Sequence, residues 1–187
     1  MKKEKQIIFL KGRKTILRPP KKETDLENAV SWLNDQEVRK FVSCYLPISF
    51  KQEEGYFNKL GEDDKNIHFS IDTLRGKHIG FMGIHGIDWL VGHATTGALI
   101  GDKNYWGKGY GTDAKMLLLE YAFHSLNFKK LKSSVISYNK RSIAYSLHCG
   151  YKEIGRRKCE FFREGKYWDE VILEVFREEW ELIRKNF

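Results

Sequence analysis

Apolar and polar positions change their spacing several times along the chain, and each change marks an element. At the start, "QIIFL" and "TILRP" flank Gly12 and stop at Pro19 and Pro20, which reads as a pair of short strands. "TDLENAVSWLND" then puts Leu26, Ala29, Val30 and Leu33 on one helical face, with Thr24 as N-cap. "SFKQEEGYFNKL" opens with Ser49 and has Gln52 three residues on, the spacing of a capping box, although Gly55 weakens that helix. The intervening "VRKFVSCYLP" has no clear period.

Next, "IHFSID" and "HIGFMGIHGID" form a hairpin about Arg75-Gly76, and "TTGALIG" is a third strand. "TDAKMLLLEYAFHSL" is the clearest helix, with Ala114, Leu117, Leu118, Tyr121 and Ala122 at helical spacing and Asn127 as its C-terminal cap. "LKSSVIS" is a strand, and "NKRSIAYSLHCG" is a helix ended by Gly150. "YKEIGRRKCEFF" and "KYWDEVILEVF" make a hairpin turned by "REG", and "REEWELIRKNF" is a short terminal helix. The unit at 95–135 is a crossover joining parallel strands, while the meander before it and the hairpin after it are antiparallel. This predicts an α/β (α+β) fold with a mixed, mostly antiparallel sheet flanked by helices. A doubly wound nucleotide-binding fold is excluded, because it needs more than one crossover. No repeat or linker divides the chain, so residues 1–187 read as one domain, with basic strands at 1–22 and a tail at 176–187.

Composition changes this picture little. Hydrophobic residues at 41% and charged residues at 31% are an ordinary globular balance. No run approaches the roughly 18 apolar residues of a membrane span, and the N-terminal apolar stretch is too short for a signal peptide. Cys44, Cys149 and Cys159, an odd number without paired spacing, fit a reducing, cytoplasmic address. They make no zinc pattern with the histidines, so no metal and no membrane partner are expected. The charge is localised. Residues 1–22 hold nine Lys or Arg and one acid, Glu4, and so carry the whole +8, while the remainder is balanced at 24 and 24. A basic edge strand that resists edge-to-edge pairing accounts for it better than a nucleic-acid surface does.

The chemistry centres on "YWGKGYGT", residues 105–112, between a strand and the long helix. Free backbone N–H groups at a helix N-terminus bind phosphate. The spelling matches neither the Walker loop nor the dinucleotide fingerprint, since glycines fall at 107, 109 and 111. Together with "GALIGDKNY", Asn139 and Gly150-Tyr151, it resembles the GNAT superfamily of acyl-CoA-dependent N-acyltransferases. "NKRSIAYSLHCGYKEIGRR", "FREGKYWDEVILEV" and "REEW" are similar to its RimJ/RimL-like branch.

The resemblance implies acetyl-CoA as co-substrate and a splayed sheet. It assigns the pyrophosphate loop to Trp106, Gly107, Lys108, Gly109, Tyr110 and Gly111, continuing to Thr112, with Trp106 where the family usually has Arg or Gln. Leu99, Ile100 and Gly101 would pair with the pantetheine arm, and Asn139 would hydrogen-bond it, although an asparagine there also serves as an N-cap. Lys103, Lys108, Lys140 and Arg141 are candidates for the phosphates. At the family's usual glutamate base and tyrosine acid stand Thr95 and Ser146. Ser142 and Ser146 are therefore taken as catalytic and coenzyme-binding residues near the thioester, and His93, His85 and Glu160 as base candidates. Tyr145 is read as core. Phe41, Tyr45, Phe57 and Trp89 would frame the acceptor, with Glu53, Glu54, Glu62, Asp63 and Asp64 as the acidic concentration nearby. The expected activity is N-acetylation of a primary amine, such as a peptide N-terminal amine, in a possible homodimer. A polyamine or aminoglycoside acceptor, or a catalytically reduced CoA sensor, is the alternative.

Overall fold

The computed structural model describes residues 7–187, Asn186 by its backbone alone. Strands β1 (Leu10–Lys11) and β2 (Thr15–Arg18) lead into helices α1 (Lys22–Asn34), α2 (Gln36–Arg39) and α3 (Phe50–Asn58). A meander of β3 (Ile67–Thr73), β4 (His78–Asp88) and β5 (His93–Ile100) follows, and α4 (Tyr110–Glu120) crosses over to β6 (Lys130–Ile136). After α5 (Lys140–His148) come the hairpin β7 (Lys152–Arg163) and β8 (Lys166–Phe176), and then α6 (Arg177–Ile183). The strands form one eight-stranded sheet in the order β1-β2-β3-β4-β5-β6-β8-β7. Among the described residues β5–β6 is the one parallel pair, so the sheet is mixed and mostly antiparallel, as expected.

Local chemistry explains most boundaries. The Ser49–Gln52 capping box is closed in both directions, Ser49 Oγ accepting from the Gln52 N–H and Gln52 Oε1 from the Ser49 N–H. Gly55 stays inside α3. Two expectations fail. Thr24 does not cap α1, which begins at Lys22, and its hydroxyl donates instead to Asp25 Oδ1 at 2.8 Å. The first strand is confined to Leu10–Lys11, with the Phe9 N–H adding one bond to Leu17 O at 3.1 Å, and Gln6 lies outside the described residues.

The two sheet faces bury different layers. On one, α4 packs Ala114, Leu118 and Leu119, and the turn after it Ala122, against Leu17, Ile71 and Ile84. On the other, Leu26, Ala29 and Phe57 from α1 and α3 cover Phe81. The apolar stripe of α4 sits one position away from the expected one. Leu117 and Tyr121 are half-buried, whereas Lys115 is 1% exposed. The helix relaxes into a π turn at Tyr121–Ser125 and stops at Asn127, whose φ of 58° is the left-handed geometry an asparagine tolerates. Arg18, counted in sequence as part of the basic edge, is buried. Its guanidinium donates to Asp72 at 2.7 Å and to both Asp25 carboxylate oxygens at 2.7 and 2.8 Å.

The feature that positions the site is a split in the sheet. The β5–β6 ladder has three rungs, ending at Thr95 opposite Lys132, yet β5 runs on to Ile100 and β6 to Ile136. Beyond Thr95 the two strands diverge and leave one edge of β5 without a neighbouring strand. No helix among the described residues is long and apolar enough to cross a membrane.

Candidate active site

A cavity of about 1030 Å³ fills the split and reaches both faces of the sheet. Its walls come from the free end of β5, the glycine loop, α4, β6, α5 and, on the opposite side, α1 and α3.

The glycine loop forms one end. Gly107 and Gly109 have φ values of 69° and 81°, which only glycine adopts without strain, so the chain can fold back and launch α4 from Gly109. No side chain caps that helix start, which leaves its first N–H groups turned toward the cavity end. Trp106, Gly107, Gly109, Gly111 and Thr112 border the cavity, while Lys108 and Tyr110 do not line it. The Trp106 indole donates to Ile100 O at 2.6 Å, and the Arg141 guanidinium stacks 3.9 Å over its ring. Lys14 reaches the loop from the N-terminal hairpin, donating to Lys108 O at 2.8 Å. Lys103, a phosphate candidate, is instead held by Asp35 at 2.8 Å and by Glu37. An uncapped helix start beside Lys14 and Arg141, with two glycines opening the approach, is a donor set suited to a diphosphate.

Backbone alternation decides which β5 groups are free. The Gly101 N–H turns back to Ile79 O at 2.9 Å, and Trp32 packs so closely that a β-carbon on Gly101 would lie 1.9 Å from its ring. Gly101 is therefore fixed by packing. Leu99 and Ile100 border the cavity, and on the free edge the main-chain groups of Ala98 and Ile100 alternate with those committed to β4, the Ile100 carbonyl being already held by the Trp106 indole.

Asn139 and Ser142 also border the cavity, with Asn139 Oδ1 accepting from the Ser142 N–H at 3.1 Å as the N-cap of α5. Ser146 is 1% exposed and lies behind the wall. His93 sits at the start of β5, opposite Asp88 and Lys130 and away from the cavity. Glu160 is exposed on a bulge, where three residues of β7 span one of β8, and it does not reach the cavity. Of the aromatics expected to frame the acceptor, Phe41 and Phe57 line the cavity. Tyr45 is exposed under Arg163, and the Trp89 indole donates to Asp64 O.

On the α3 side the polar groups are connected. Glu53 is 9% exposed and borders the cavity, with no basic partner among the described residues, and burial raises its pKa. Glu54, by contrast, pairs with Lys22 at 2.8 Å, and Asp63 is occupied by Asn66. One helical turn beyond Glu53, the Tyr56 hydroxyl lies 3.2 Å from His68 Nδ1, and the His68 and His85 rings are 5.2 Å apart. His85 stands directly opposite Thr95, with its ring laid across Gly83 and Gly97. Burial first, then the nearby His68 and Lys115, lower the His85 pKa, so its imidazole is neutral at pH 7.

The sequence reading missed Lys115. Its Nζ donates to Thr96 Oγ1 at 2.7 Å, and Thr96 Oγ1 lies 2.7 Å from the Tyr151 hydroxyl. The available signal was its place within the 114, 115, 118, 119, 122 stripe of α4, where a lysine must bury its whole length. Tyr145 packs against the core as expected and also forms part of the cavity wall beside Lys115.

Comparison with known proteins agrees with this geometry. The family model described as an acetyltransferase (GNAT) domain matches residues 14–152. YokL of Bacillus subtilis strain 168, an uncharacterized N-acetyltransferase derived from prophage SPbeta, is 31% identical over 151 residues, covering 80% of this chain and 84% of its own. A spermidine N(1)-acetyltransferase of Vibrio cholerae is 27% identical over 121 residues, 65% of this chain and 69% of that protein. The crystal structure of a Vibrio cholerae spermidine N-acetyltransferase with CoA and spermine superimposes with a TM-score of 0.83 at 23% identity, over 89% of this chain and 98% of that one. The chain belongs to the GNAT acetyltransferase family. It is an acetyl-CoA-dependent N-acetyltransferase.

Proposed function

We propose that the protein transfers the acetyl group of acetyl-CoA to a small cationic amine of the polyamine class. The observation that carries this is Glu53, a desolvated carboxylate on the acceptor side of the cavity with no cation of its own among the described residues. A buried unpaired carboxylate is costly, and a substrate ammonium offsets that cost. A second amine of the same molecule is then free to lie nearer the split. A peptide N-terminal amine, which the RimJ/RimL-like resemblance suggested, brings no such second cation. The spermidine N-acetyltransferases among the relatives support the polyamine reading.

In this reading the first turn of α4, with Lys14 and Arg141, holds the diphosphate of acetyl-CoA, and the free edge of β5 receives the pantetheine arm beside Asn139 and Ser142. The co-substrate supplies an acyl group activated as a thioester. His85, neutral and on the acceptor side, takes the proton that the amine loses, directly or through water. Thr95 cannot take it, because a hydroxyl is no base at this pH.

The test is thiol release with acetyl-CoA and a panel of spermidine, free-N-terminal peptides and an aminoglycoside. Spermidine should be preferred, and Glu53→Gln should raise its KM about 10- to 100-fold, with a smaller effect on kcat. Preference for peptides, or a Glu53→Gln KM equal to the wild type, would overturn the polyamine reading.

A further inference from the structure

Lys115 borders the cavity from α4 and is 1% exposed. Its Nζ bonds to Thr96, the first residue of β5 past the last β5–β6 rung, and Thr96 Oγ1 also lies 3.3 Å from Lys132 O. The ammonium is thereby held at the apex of the split, where the two strands part. The Tyr151 and Tyr145 rings stand 5.2 and 5.8 Å away. The polar and titratable groups that face it are Thr96 from β5, His85 from β4, Tyr145 and Cys149 from α5, and Tyr151, which follows α5. None is a carboxylate. One of its three N–H donors is used by Thr96, and two are left for the cavity.

A methionine would fill this space without desolvating a charge, so packing gives no reason for a lysine. An anion formed in the cavity during turnover gives one. We propose that the Lys115 ammonium is the proton source for the coenzyme A thiolate that leaves during acetyl transfer. This rests on the acetyl-CoA reading but not on the identity of the acceptor.

The step balances. The acceptor nitrogen forms its bond to the acetyl carbon, and the C–S bond breaks with its electron pair on sulfur. Lys115 gives that sulfur a proton, the acceptor nitrogen loses one to His85 or water, and Lys115 recovers its proton from solvent. Burial lowers the Lys115 pKa to about 8, close to the value of about 8.5 for an ordinary thiol. The neighbouring phenols are not matched in this way, since burial raises both Tyr145 and Tyr151.

The test titrates the thiol of bound coenzyme A by its ultraviolet thiolate absorbance, in wild type, Lys115→Met and Lys115→Arg, alongside kcat. The bound thiol should ionise at least one pH unit lower in wild type than in Lys115→Met, because a nearby ammonium favours the thiolate. Lys115→Met should lose about 100-fold or more in kcat, with the amine KM within about threefold. Lys115→Arg keeps the charge without a dissociable proton near pH 8, so it should keep the lowered thiol titration yet stay slow. Recovery of kcat in Lys115→Arg overturns the assignment of a proton donor, as do identical thiol titrations in wild type and Lys115→Met. Failure of the wild type to bind coenzyme A overturns the acetyl-CoA reading and this proposal together, whereas binding with identical titrations overturns this proposal alone.

Discussion

The imidazole of His85 lies over Gly83, its Nε2 2.6 Å from where a β-carbon on that residue would stand. No larger residue fits there while the ring keeps its place. Gly83→Ala should therefore displace the ring and lower kcat about tenfold or more, while His85→Gln should lower it by about 10²-fold. Because the His85 pKa is lowered from 6.5, the acid limb of kcat/KM in the wild type should fall below pH 6.5, and His85→Gln should flatten it. A limb that His85→Gln leaves in place would exclude His85 as the base.

Lys115 also leaves a mark on stability. Its pKa is lowered from 10.5 to about 8, so the folded state resists protonation and is penalised below about pH 8. The penalty fades as the pH rises from about 8 towards 10.5, where the unfolded lysine also loses its proton. At pH 7 Lys115→Met should therefore be more stable than wild type, by about 1–3 kcal/mol in urea unfolding. That gap should close between pH 8 and 10.5. A Lys115→Met protein less stable at pH 7 would mean that the lysine is structural.

Asp113 ties the N-terminal hairpin to the first turn of α4. Its carboxylate accepts from the N–H groups of Arg13, Lys14 and Thr15 at 3.0, 3.0 and 2.8 Å and from the Thr15 hydroxyl at 2.6 Å. The same contact sets Lys14 beside the loop. Asp113→Ala should cost about 2–4 kcal/mol in denaturant unfolding and should weaken coenzyme A binding by calorimetry.

The Arg18–Asp25–Asp72 cluster bears on the acid limit of folding. Asp25 accepts two guanidinium bonds, the Lys21 N–H and the Ser70 hydroxyl. Although burial opposes ionisation, these bonds hold its pKa far below 3.8. A depressed carboxylate contributes its stability above the ordinary value and loses it as the pH falls, so acid unfolding should set in below about pH 4. Asp25→Asn should cost about 3–5 kcal/mol at neutral pH, measured by urea unfolding, because it leaves Arg18 underpaired in the core.

What could be read from the sequence follows the range of the forces involved. The Ser49–Gln52 box, the left-handed Asn127 and the Gly107–Gly109 turn are set by neighbours within a few residues, and each appeared where its spelling placed it. The crossover from β5 through α4 to β6 followed from the apolar pattern at 95–135, whereas a second one, which carries the chain from β6 through α5 to β7 on the far side of β8, was not read from the sequence. Thr24 misled because Asp25 is drawn inward by Arg18, a partner seven residues back whose burial depends on the tertiary fold. Glu160 could not be placed by counting, since the bulge in β7 breaks the two-residue period. Lys115 was not singled out in the apolar helix, because only the split between β5 and β6 gives its amine somewhere to act.

The most direct test of the whole account is thiol release from acetyl-CoA with spermidine, in wild type beside Gly109→Glu. Gly109 has a φ of 81° and borders the cavity, so glutamate there adds both backbone strain and a negative charge beside the assigned diphosphate site. Release in the wild type that disappears in Gly109→Glu, together with coenzyme A binding, is the predicted result. Equal release from both proteins would contradict the assignment of this loop to acetyl-CoA.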